Sequence, residues 1–332
     1  MALTIPTGDI DVLCIGELLV DLISEEPVAT LADAETYRRY QGGSPANIAA
    51  NVARLGGHAA IIGKVGADAF GRYCIQELAQ LGVITDGLIE DPASHTTAIF
   101  VSRTSATPDF EVYRGADARL RPDEIWESAI ENTRLLHAST FALSRQSSRN
   151  AVTRALEVAH HLGKTISLDP NYSPRVWPDR DEALAVLKDL YRFVSLTKPS
   201  LDDAQRLFGT GLQPEEYITR FHNLGPELVV MTLGRGGVIV SIAGRMVHIP
   251  GLKIDVIDAT GAGDCFWAGY LVSLLDGHNP IFAAHVAQAV AARKLGQAGP
   301  LPHTLNRQAF YQQVHVMPAV QSPGGIVRNP LP

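Results

Sequence analysis

Three small residues, Gly261, Ala262 and Gly263, stand directly before Asp264, and apolar residues recur at helical spacing after them. The β-branched stretch Val247–Ile257 before them predicts a strand with a turn, so we expect a helix to begin at the small residues. Their backbone N–H groups can face a ligand without steric interference, and the helix dipole favours an anion there. A carboxylate beside an anion is repelled unless it has another task. Asp264 could take the proton from a hydroxyl group that attacks phosphorus.

A purely structural role for this segment is also open, because glycine-rich turns often precede helices and Asp at a helix start is an ordinary cap. A second segment, far away in the sequence, bears on the choice. Gly42 and Gly43 let the backbone approach a ligand closely. Ser44 can cap a helix that begins at Pro45, and Asn47 offers a donor and an acceptor that suit a sugar hydroxyl.

Residues 41–56 and 258–270 together resemble the two signature segments of the PfkB-type (ribokinase-like) carbohydrate kinases, in the expected order and spacing. The resemblance extends from about Val12 to Gly299 and lies closest to the fructokinase and 2-keto-3-deoxygluconate kinase branch. It implies an α/β fold with a mostly parallel central sheet, helices on both of its faces and a small β-sheet lid. The implied cofactors are ATP and Mg2+, with K+ as a further candidate. In the family, residues near Asp258 and the loop after the last long helix form the monovalent-cation site.

The order of apolar patterns supports this division of the chain. Short apolar runs alternate with helical patterns from Leu135 onward, which favours a parallel sheet covered on both faces. Two runs, Thr96–Val101 and Phe110–Tyr113, are typical of a hairpin without a covering helix, and the resemblance assigns such strands to the lid. The implied domains are a core of residues 1–17, 43–95 and 116–317 and an inserted lid of residues 18–42 and 96–115. We expect the C-terminal tail, residues 318–332, to be mobile or draped on the surface.

Three polar segments follow predicted strands of the large sheet: Asp169–Asn171, Lys198–Ser200 and residues 233–237. Because the carboxyl ends of parallel strands meet at one edge, these segments should converge on one site. Such convergence supports an active site better than any single motif does. The predicted strands before them are Thr165–Leu168, Phe193–Thr197 and Leu228–Thr232.

The resemblance assigns nucleotide binding to the second and third of these segments. The nucleotide-binding candidates are Lys198, Ser200, Thr232, Gly234 and Gly237. Many family members carry Asn-x-x-Glu where this chain has Ser200-Leu-Asp-Asp203, and that motif organises Mg2+ and phosphate through water. Asp203 is shorter than Glu, which leaves its role in holding Mg2+ open.

Several residues could bind the sugar. Asp21 lies in an otherwise apolar run, where an unpaired carboxylate would be costly. It either faces solvent from an edge strand or binds hydroxyl groups, and the resemblance favours a sugar. Tyr113 and Arg114 would project from the lid, where Arg114 could bond hydroxyls or a carboxylate, or form a rim salt bridge. The further sugar-binding candidates are Gly42, Gly43, Asn47, Asn171 and Arg175.

The expected reaction is transfer of the γ-phosphoryl group of ATP to a primary hydroxyl of a small sugar, with fructose preferred. Residues 110–120 and Asp169–Tyr172 look like fructokinase segments. The similar 2-keto-3-deoxygluconate kinases usually have Arg directly after that Asn-Tyr pair to bind the carboxylate of the sugar acid, whereas this chain has Ser173. Arg175 could replace it, so the sugar acid is the alternative acceptor. A nucleoside kinase and a non-catalytic sugar sensor are more distant alternatives.

The composition restricts which binding partners and which cellular compartment are expected. The net charge of −7 gives no long-range attraction for nucleic acid or anionic lipid. No apolar run approaches the length of a membrane span, and the N-terminus lacks a signal pattern. Cys14, Cys74 and Cys265 are not spaced like a metal site and suit a reducing compartment, so we expect the cytoplasm. Lid strands in the family often pair between subunits, so we also expect a homodimer.

Overall fold

In the computed structural model, which describes residues 5–104, 109–297 and 299–316, the chain forms two β-sheets and a set of α-helices. The strands are β1 (Ile10–Ile15), β2 (Leu19–Pro27), β3 (Tyr37–Gly42), β4 (Ala59–Gly66), β5 (Ile84–Asp91), β6 (Ala98–Arg103), β7 (Phe110–Tyr113), β8 (Thr133–Ser139), β9 (Thr165–Asp169), β10 (Leu196–Thr197), β11 (Leu228–Thr232), β12 (Val238–Ile242) and β13 (Arg245–Ile249). The helices are α1 (Ser44–Arg54), α2 (Ala69–Gln80), α3 (Glu127–Asn132), α4 (Thr140–Leu143), α5 (Gln146–His161), α6 (Arg180–Tyr191), α7 (Leu201–Phe208), α8 (Pro214–Leu224), α9 (Ala262–Leu275), α10 (Pro280–Leu295) and α11 (Arg307–Val316). None of these helices is long and apolar enough to span a membrane.

The large sheet has the strand order β13-β12-β11-β10-β9-β8-β1-β4-β5. From β11 to β5 neighbouring strands are parallel, and β12 and β13 add an antiparallel hairpin at one edge. The chain builds outward from β1 to β4 and β5, then returns to β8 and continues in the other direction. Ligands of such sheets bind at the carboxyl ends of the strands beside this reversal, here between β1 and β8.

The large sheet is buried because its strands alternate apolar side chains between two helical layers. In β1, Val12 and Cys14 belong to one core with α1, α9 and α10, whereas Leu13 and Ile15 belong to the other with α5, α6 and α8. Helix α9 is apolar on every side, and residues 265–275 are all buried. The predicted mostly parallel sheet with helices on both faces is confirmed.

The small sheet has the order β3-β2-β6-β7. Strand β2 pairs antiparallel with β3 and parallel with β6, and β6 and β7 form the predicted antiparallel pair. The predicted second, small β-sheet is therefore also confirmed.

Four local features differ from the sequence prediction. The stretch Val247–Ile257, with its predicted turn at Pro250, forms a strand only as far as Ile249, because Pro250 has no N–H group to continue the ladder. The strand predicted over Phe193–Thr197 is only the two residues of β10. Strand β5 was not predicted, because acidic residues and a glycine interrupt its apolar pattern at this sheet edge, and α11 was not predicted either. The predicted tail, residues 318–332, lies outside the described residues.

Helix α9 packs against α10 through Gly269. A Cβ at this position would lie 3.0 Å from Val290 Cγ2 and 3.3 Å from Ala287 Cα. We expect Gly269→Val to lower the free energy of unfolding by about 1–3 kcal/mol through overpacking, although Val has the higher intrinsic helix propensity. Urea denaturation followed by circular dichroism measures the change. Adding Val290→Ala should restore part of the loss, and an unchanged free energy in the single variant would contradict the close contact.

Candidate active site

The turn between β3 and α1 lies against the segment that follows β1. Gly43 has a φ of 99°, and a Cβ there would overlap the carbonyl oxygen of Glu17. A Cβ at Gly42 would overlap the carboxylate of Asp21. Only glycine permits the backbone to lie this close at both positions. The structure thereby brings Gly42, Gly43 and Asp21 together, as the sequence suggested.

Asp264 lies in the first turn of α9, after the N-cap Gly261 with a φ of 71°. Its Oδ1 accepts a hydrogen bond from Ser44 Oγ at 2.8 Å, and its Oδ2 accepts one from Asn47 Nδ2 at 2.9 Å. Both donors lie at the start of α1, so the amino ends of two helices meet at this carboxylate. Gln41 Nε2 donates to Asn47 Oδ1 at 3.2 Å, which orients the Asn47 amide for the bond to Asp264.

Ser44 does not cap its helix as expected. The N-cap position of α1 is Gly43, which has no side chain to accept a bond, and Ser44 is the first helical residue. Its hydroxyl is instead used for the contact with Asp264. Ser44 is therefore a site residue that sequence reasoning assigned only to local structure.

Glu17 is a second site residue that was not predicted. It follows β1 and is buried, its Oε1 accepts from Ser44 N at 3.0 Å, and Ser139 Oγ donates to both carboxyl oxygens at 3.3 Å. Desolvation raises the pKa of Glu17 to about 8. The available signal was its position, since it directly follows a buried strand at the same sheet edge as Asp169 and Lys198.

The pKa values of Asp21 and Asp264 are both raised, and the charge of Asp264 contributes to the shift of Asp21. Desolvation raises the pKa of Asp264 above the ordinary value, while hydrogen bonds from Asn47 and Ser44 and the charge of Lys198 act in the opposite direction. Desolvation, with a further contribution from the charge of Asp264, raises the pKa of Asp21 to about 7. A raised pKa suits a group that must accept a proton near neutral pH.

Lys198 and Asp169 form a buried ion pair at the carboxyl ends of β9 and β10. The distance between Lys198 Nζ and Asp169 Oδ2 is 2.8 Å. Desolvation lowers the pKa of Lys198, but Asp169 and Asp203 raise it by more, so the ammonium group stays charged. A Cβ on Gly263 would lie 3.6 Å from this ammonium group. A positive charge therefore stands beside the amino end of α9.

Asp203 is occupied by protein donors. Its Oδ2 accepts from the backbone N–H of Ser200 at 3.0 Å and from the Ser200 hydroxyl, and its Oδ1 accepts from Tyr172 N at 3.0 Å. These bonds cap α7 and hold the loop after β9 against it. Its contact with Mg2+ through water stays a prediction.

The proposed nucleotide loop lies beside the Lys198 segment. Thr232 N donates to Pro199 O at 3.0 Å, at the end of β11. Gly234 and Gly237 both have positive φ, 56° and 95°, and a Cβ at Gly237 would overlap backbone atoms. Glycine is needed here to form a tight exposed turn at the sheet edge where Asp264 and Lys198 converge.

The two candidate arginines are engaged by other protein groups. Arg114 forms a buried ion pair, not one at the rim, with Asp117 at 2.7 Å, and it also donates to Ser144 Oγ at 2.7 Å. Arg175 lies 2.7 Å from Asp109 Oδ1 and donates to the carbonyl oxygen of Phe110 at 2.8 Å. Arg175 therefore links the loop after β9 to the small sheet.

The positions of Tyr113 and Asn171 need separate mention. Tyr113 pairs with Ala98, and Ala98 pairs with Val20, the neighbour of Asp21. Because side chains alternate along strands, Tyr113 and Asp21 lie on opposite faces of the small sheet, contrary to a shared sugar site in one protomer. Asn171 has a φ of 30°, and its N–H donates to Asp169 Oδ1 at 3.1 Å, which places it beside the Lys198 ion pair.

Comparisons with known proteins agree with this arrangement. Residues 9–304 match the model of the pfkB family carbohydrate kinases. An ATP-dependent 6-phosphofructokinase of Thermoanaerobacterium thermosaccharolyticum is 34% identical over 291 residues, which cover 88% of this chain and 89% of that protein.

Two solved structures are also similar. The fructokinase of Halothermothrix orenii has a TM-score of 0.76 and 38% identity, covering 88% of this chain and 100% of its own. A fructokinase double mutant of Vibrio cholerae O395, in a form bound to fructose, ADP and potassium ion, has a TM-score of 0.82 and 29% identity, covering 92% and 99%. With the family model matching most of its length, the chain belongs to the pfkB family of carbohydrate kinases and is a sugar phosphotransferase.

Proposed function

We propose that this protein transfers the γ-phosphoryl group of ATP to a primary hydroxyl of a small sugar, and that fructose is its preferred acceptor. The observation that carries the proposal is the placement of Asp264. Its carboxylate is held by Ser44 and Asn47 at the amino end of α9, next to Asp21 and the Gly42–Gly43 turn.

Asp264 acts as the general base. Each carboxylate oxygen has two acceptor sites, so the bonds from Ser44 and Asn47 leave capacity for the substrate hydroxyl. Asp21, whose carboxylate lies against Gly42, accepts from another sugar hydroxyl and fixes the orientation of the ring. The attacking oxygen then loses its proton to Asp264 as it approaches phosphorus.

The amino end of α9 stabilises the charge of the transferring phosphoryl group. A helix leaves its first N–H groups without intrahelical partners, and the N–H groups of Gly263 and Asp264 belong to this set. The Lys198 ammonium group beside Gly263 adds a fixed positive charge in a buried place, where electrostatic stabilisation is strong. Magnesium enters as part of the MgATP substrate and, when bound, offsets charge on the phosphate oxygens.

The small sheet serves as the lid of the site, with residues 18–42 and 96–115 inserted into the core. Arg175 connects it to the loop after β9 through Asp109, at 2.7 Å. A sheet that carries Asp21 and closes over the sugar would exclude water and limit ATP hydrolysis.

The engaged arginines support a neutral acceptor. Arg114 is directed to Asp117 and Ser144, and Nη1 of the half-exposed Arg175 is directed to Asp109 and a backbone carbonyl, so a sugar carboxylate would have to compete with these protein partners. The fructokinases among the relatives point to fructose. The 6-phosphofructokinase relative makes fructose 6-phosphate the second candidate, ahead of 2-keto-3-deoxygluconate.

The cytoplasm and a homodimer through the small sheet are also proposed. Tyr37, Phe100 and Tyr113 stack edge to face, with ring centroids 5.2 and 5.6 Å apart, and Tyr113 is 64% exposed. A second copy would cover this aromatic surface. Sedimentation velocity measures the assembly, and a monomer at working concentrations would contradict it.

Replacing the base should remove turnover and leave the fold. We expect Asp264→Asn to reduce sugar-dependent ADP release by roughly 10²–10⁴-fold, because the neutral amide cannot accept the proton. A coupled ADP assay measures the rate. The control is Asp255→Asn, the same change at an exposed aspartate of the preceding loop, which should retain normal turnover. Near-normal turnover in Asp264→Asn would remove the proposed base.

Sugar binding should depend on pH through Asp21. Because its pKa is raised to about 7, its carboxylate becomes protonated as the pH falls below that value, and sugar affinity should fall with it. In Asp264→Asn the negative charge that contributes to this shift is absent, so the midpoint should move to lower pH. Isothermal titration calorimetry with fructose at a series of pH values measures both midpoints. Identical midpoints in the two proteins would contradict the interaction.

Comparing kcat/KM for several acceptors identifies the preferred substrate. We expect kcat/KM with MgATP to be higher for fructose than for fructose 6-phosphate, 2-keto-3-deoxygluconate or a purine nucleoside. The advantage over the charged sugars should be roughly tenfold or more, because a buried charge without a partner costs about 1–3 kcal/mol or more. A preference for fructose 6-phosphate would identify a phosphofructokinase, and a preference for the sugar acid would reassign Arg175 to substrate binding.

A further inference from the structure

A buried lysine contacts the carboxylate for which the sequence suggested a monovalent cation. Lys294 lies in the last turn of α10 and is 4% exposed. Its Nζ is 2.7 Å from Asp258 Oδ2 and 3.4 Å from the carbonyl oxygen of Asp258. The ammonium group therefore contacts a side-chain and a backbone oxygen of the same residue, the kinds of oxygen that a monovalent cation would take.

Backbone N–H groups also donate to this carboxylate. Gly299 N donates to Asp258 Oδ2 at 3.3 Å, and Thr260 N donates to Asp258 Oδ1 at 2.9 Å. Desolvation raises the pKa of Asp258, but the hydrogen bonds from Lys294 and Thr260, together with the charge of Lys294, lower it by more. The group is therefore a carboxylate. One negative charge is matched by one positive charge.

This ion pair supports the segment that leads into α9. Ile257 N and Asp258 N donate to Leu295 O at 2.8 and 3.4 Å, directly after Lys294 in the chain. The segment then reaches Gly261, the N-cap of α9, within three residues. The end of α10 thus fixes the approach to the helix start that is proposed to bind the transferring phosphoryl group.

A potassium ion does not fit this arrangement. The related Vibrio cholerae structure contains potassium ion, and the family resemblance places such an ion near Asp258. In this chain a cation that contacted Asp258 Oδ2 would meet the ammonium group of Lys294 within a few ångströms, with only one carboxylate to offset two positive charges. The side chains of Lys294 and Asp258 are 6% and 27% exposed, so water screens this repulsion only in part.

We propose that the ammonium group of Lys294 takes the place of the monovalent cation, so that this kinase works without K+. Lys294 is a positioning residue that acts through Asp258 on the start of α9. The part of this inference that concerns catalysis rests on the proposed kinase function. The part that concerns cation binding does not.

Turnover of the unchanged protein gives the first test. ADP release with fructose and MgATP is measured in potassium chloride and in choline chloride at equal ionic strength, in buffers free of Na+ and NH4+. The rates should agree within about twofold, because no cation site is open beside Lys294. Activation by K+ of more than about tenfold would overturn the proposal, since a difference of that size indicates a bound ion.

Two substitutions at Lys294 distinguish the effect of losing the ammonium charge from the effect of opening room for an ion. Lys294→Ala removes the charge and opens room for an ion, whereas Lys294→Met removes the charge but keeps most of the side chain. Both should lower turnover by about 10–100-fold in choline chloride, as loss of a supporting contact does. Potassium or ammonium chloride should restore turnover in Lys294→Ala, saturably, and not in Lys294→Met. Arg293→Ala, an exposed cation one residue away, is the control and should behave as the unchanged protein.

Cation binding is also measured without turnover. Thermal unfolding in potassium chloride is compared with choline chloride, with no sugar or nucleotide present. Potassium should raise the melting temperature of Lys294→Ala and leave that of the unchanged protein the same. Stabilisation of the unchanged protein by K+, or of neither protein, overturns the inference. If this protein phosphorylated no sugar but showed the predicted thermal pattern, the proposed kinase function would be refuted and the inference about cation binding would stand.

Discussion

The carboxylate of Asp264, held between the amino ends of two helices, is the interaction on which the site depends. Asp264 belongs to α9, and Ser44 belongs to α1, 220 positions earlier in the chain. Both helix dipoles are positive at this place, which favours the carboxylate and would favour the phosphoryl group of the proposed reaction. Any movement of one helix against the other would displace Asp264 from its donors and widen the proposed anion-binding site.

Around this contact, most charged groups of the site are neutralised by protein partners. Asp169 pairs with Lys198, Asp258 with Lys294, and Arg114 with Asp117. Each buried pair costs desolvation that is offset only by good geometry and further hydrogen bonds. The site therefore contains few mobile charges, and burial raises the pKa of both carboxyl groups that face the expected sugar, Asp21 and Asp264.

The repeated alternation of strands and helices was enough to predict the large sheet, because fully apolar strands and amphipathic helices have distinct periods. Strand β5 is not predictable from the sequence pattern, because this edge strand contains Asp86 and Glu90 and shows no continuous apolar run. The glycine segments and Asp264 were found as motifs, whereas Glu17 and Lys294 matter through contacts with residues remote in sequence. Arg114 and Arg175 were singled out as sugar-binding candidates, but nothing in the sequence shows that their partners are Asp117 and Asp109.

The burial of α9 has a consequence for how the protein loses function on heating. Its residues 265–275 are all in the core, and the proposed base lies in its first turn. Core helices open only when the whole domain unfolds, while loops and chain ends open at much lower free energy. Inactivation that arises at Asp264 itself should then coincide with global unfolding, and earlier thermal losses would begin in the loops of the site or in the peripheral sheet that carries Asp21.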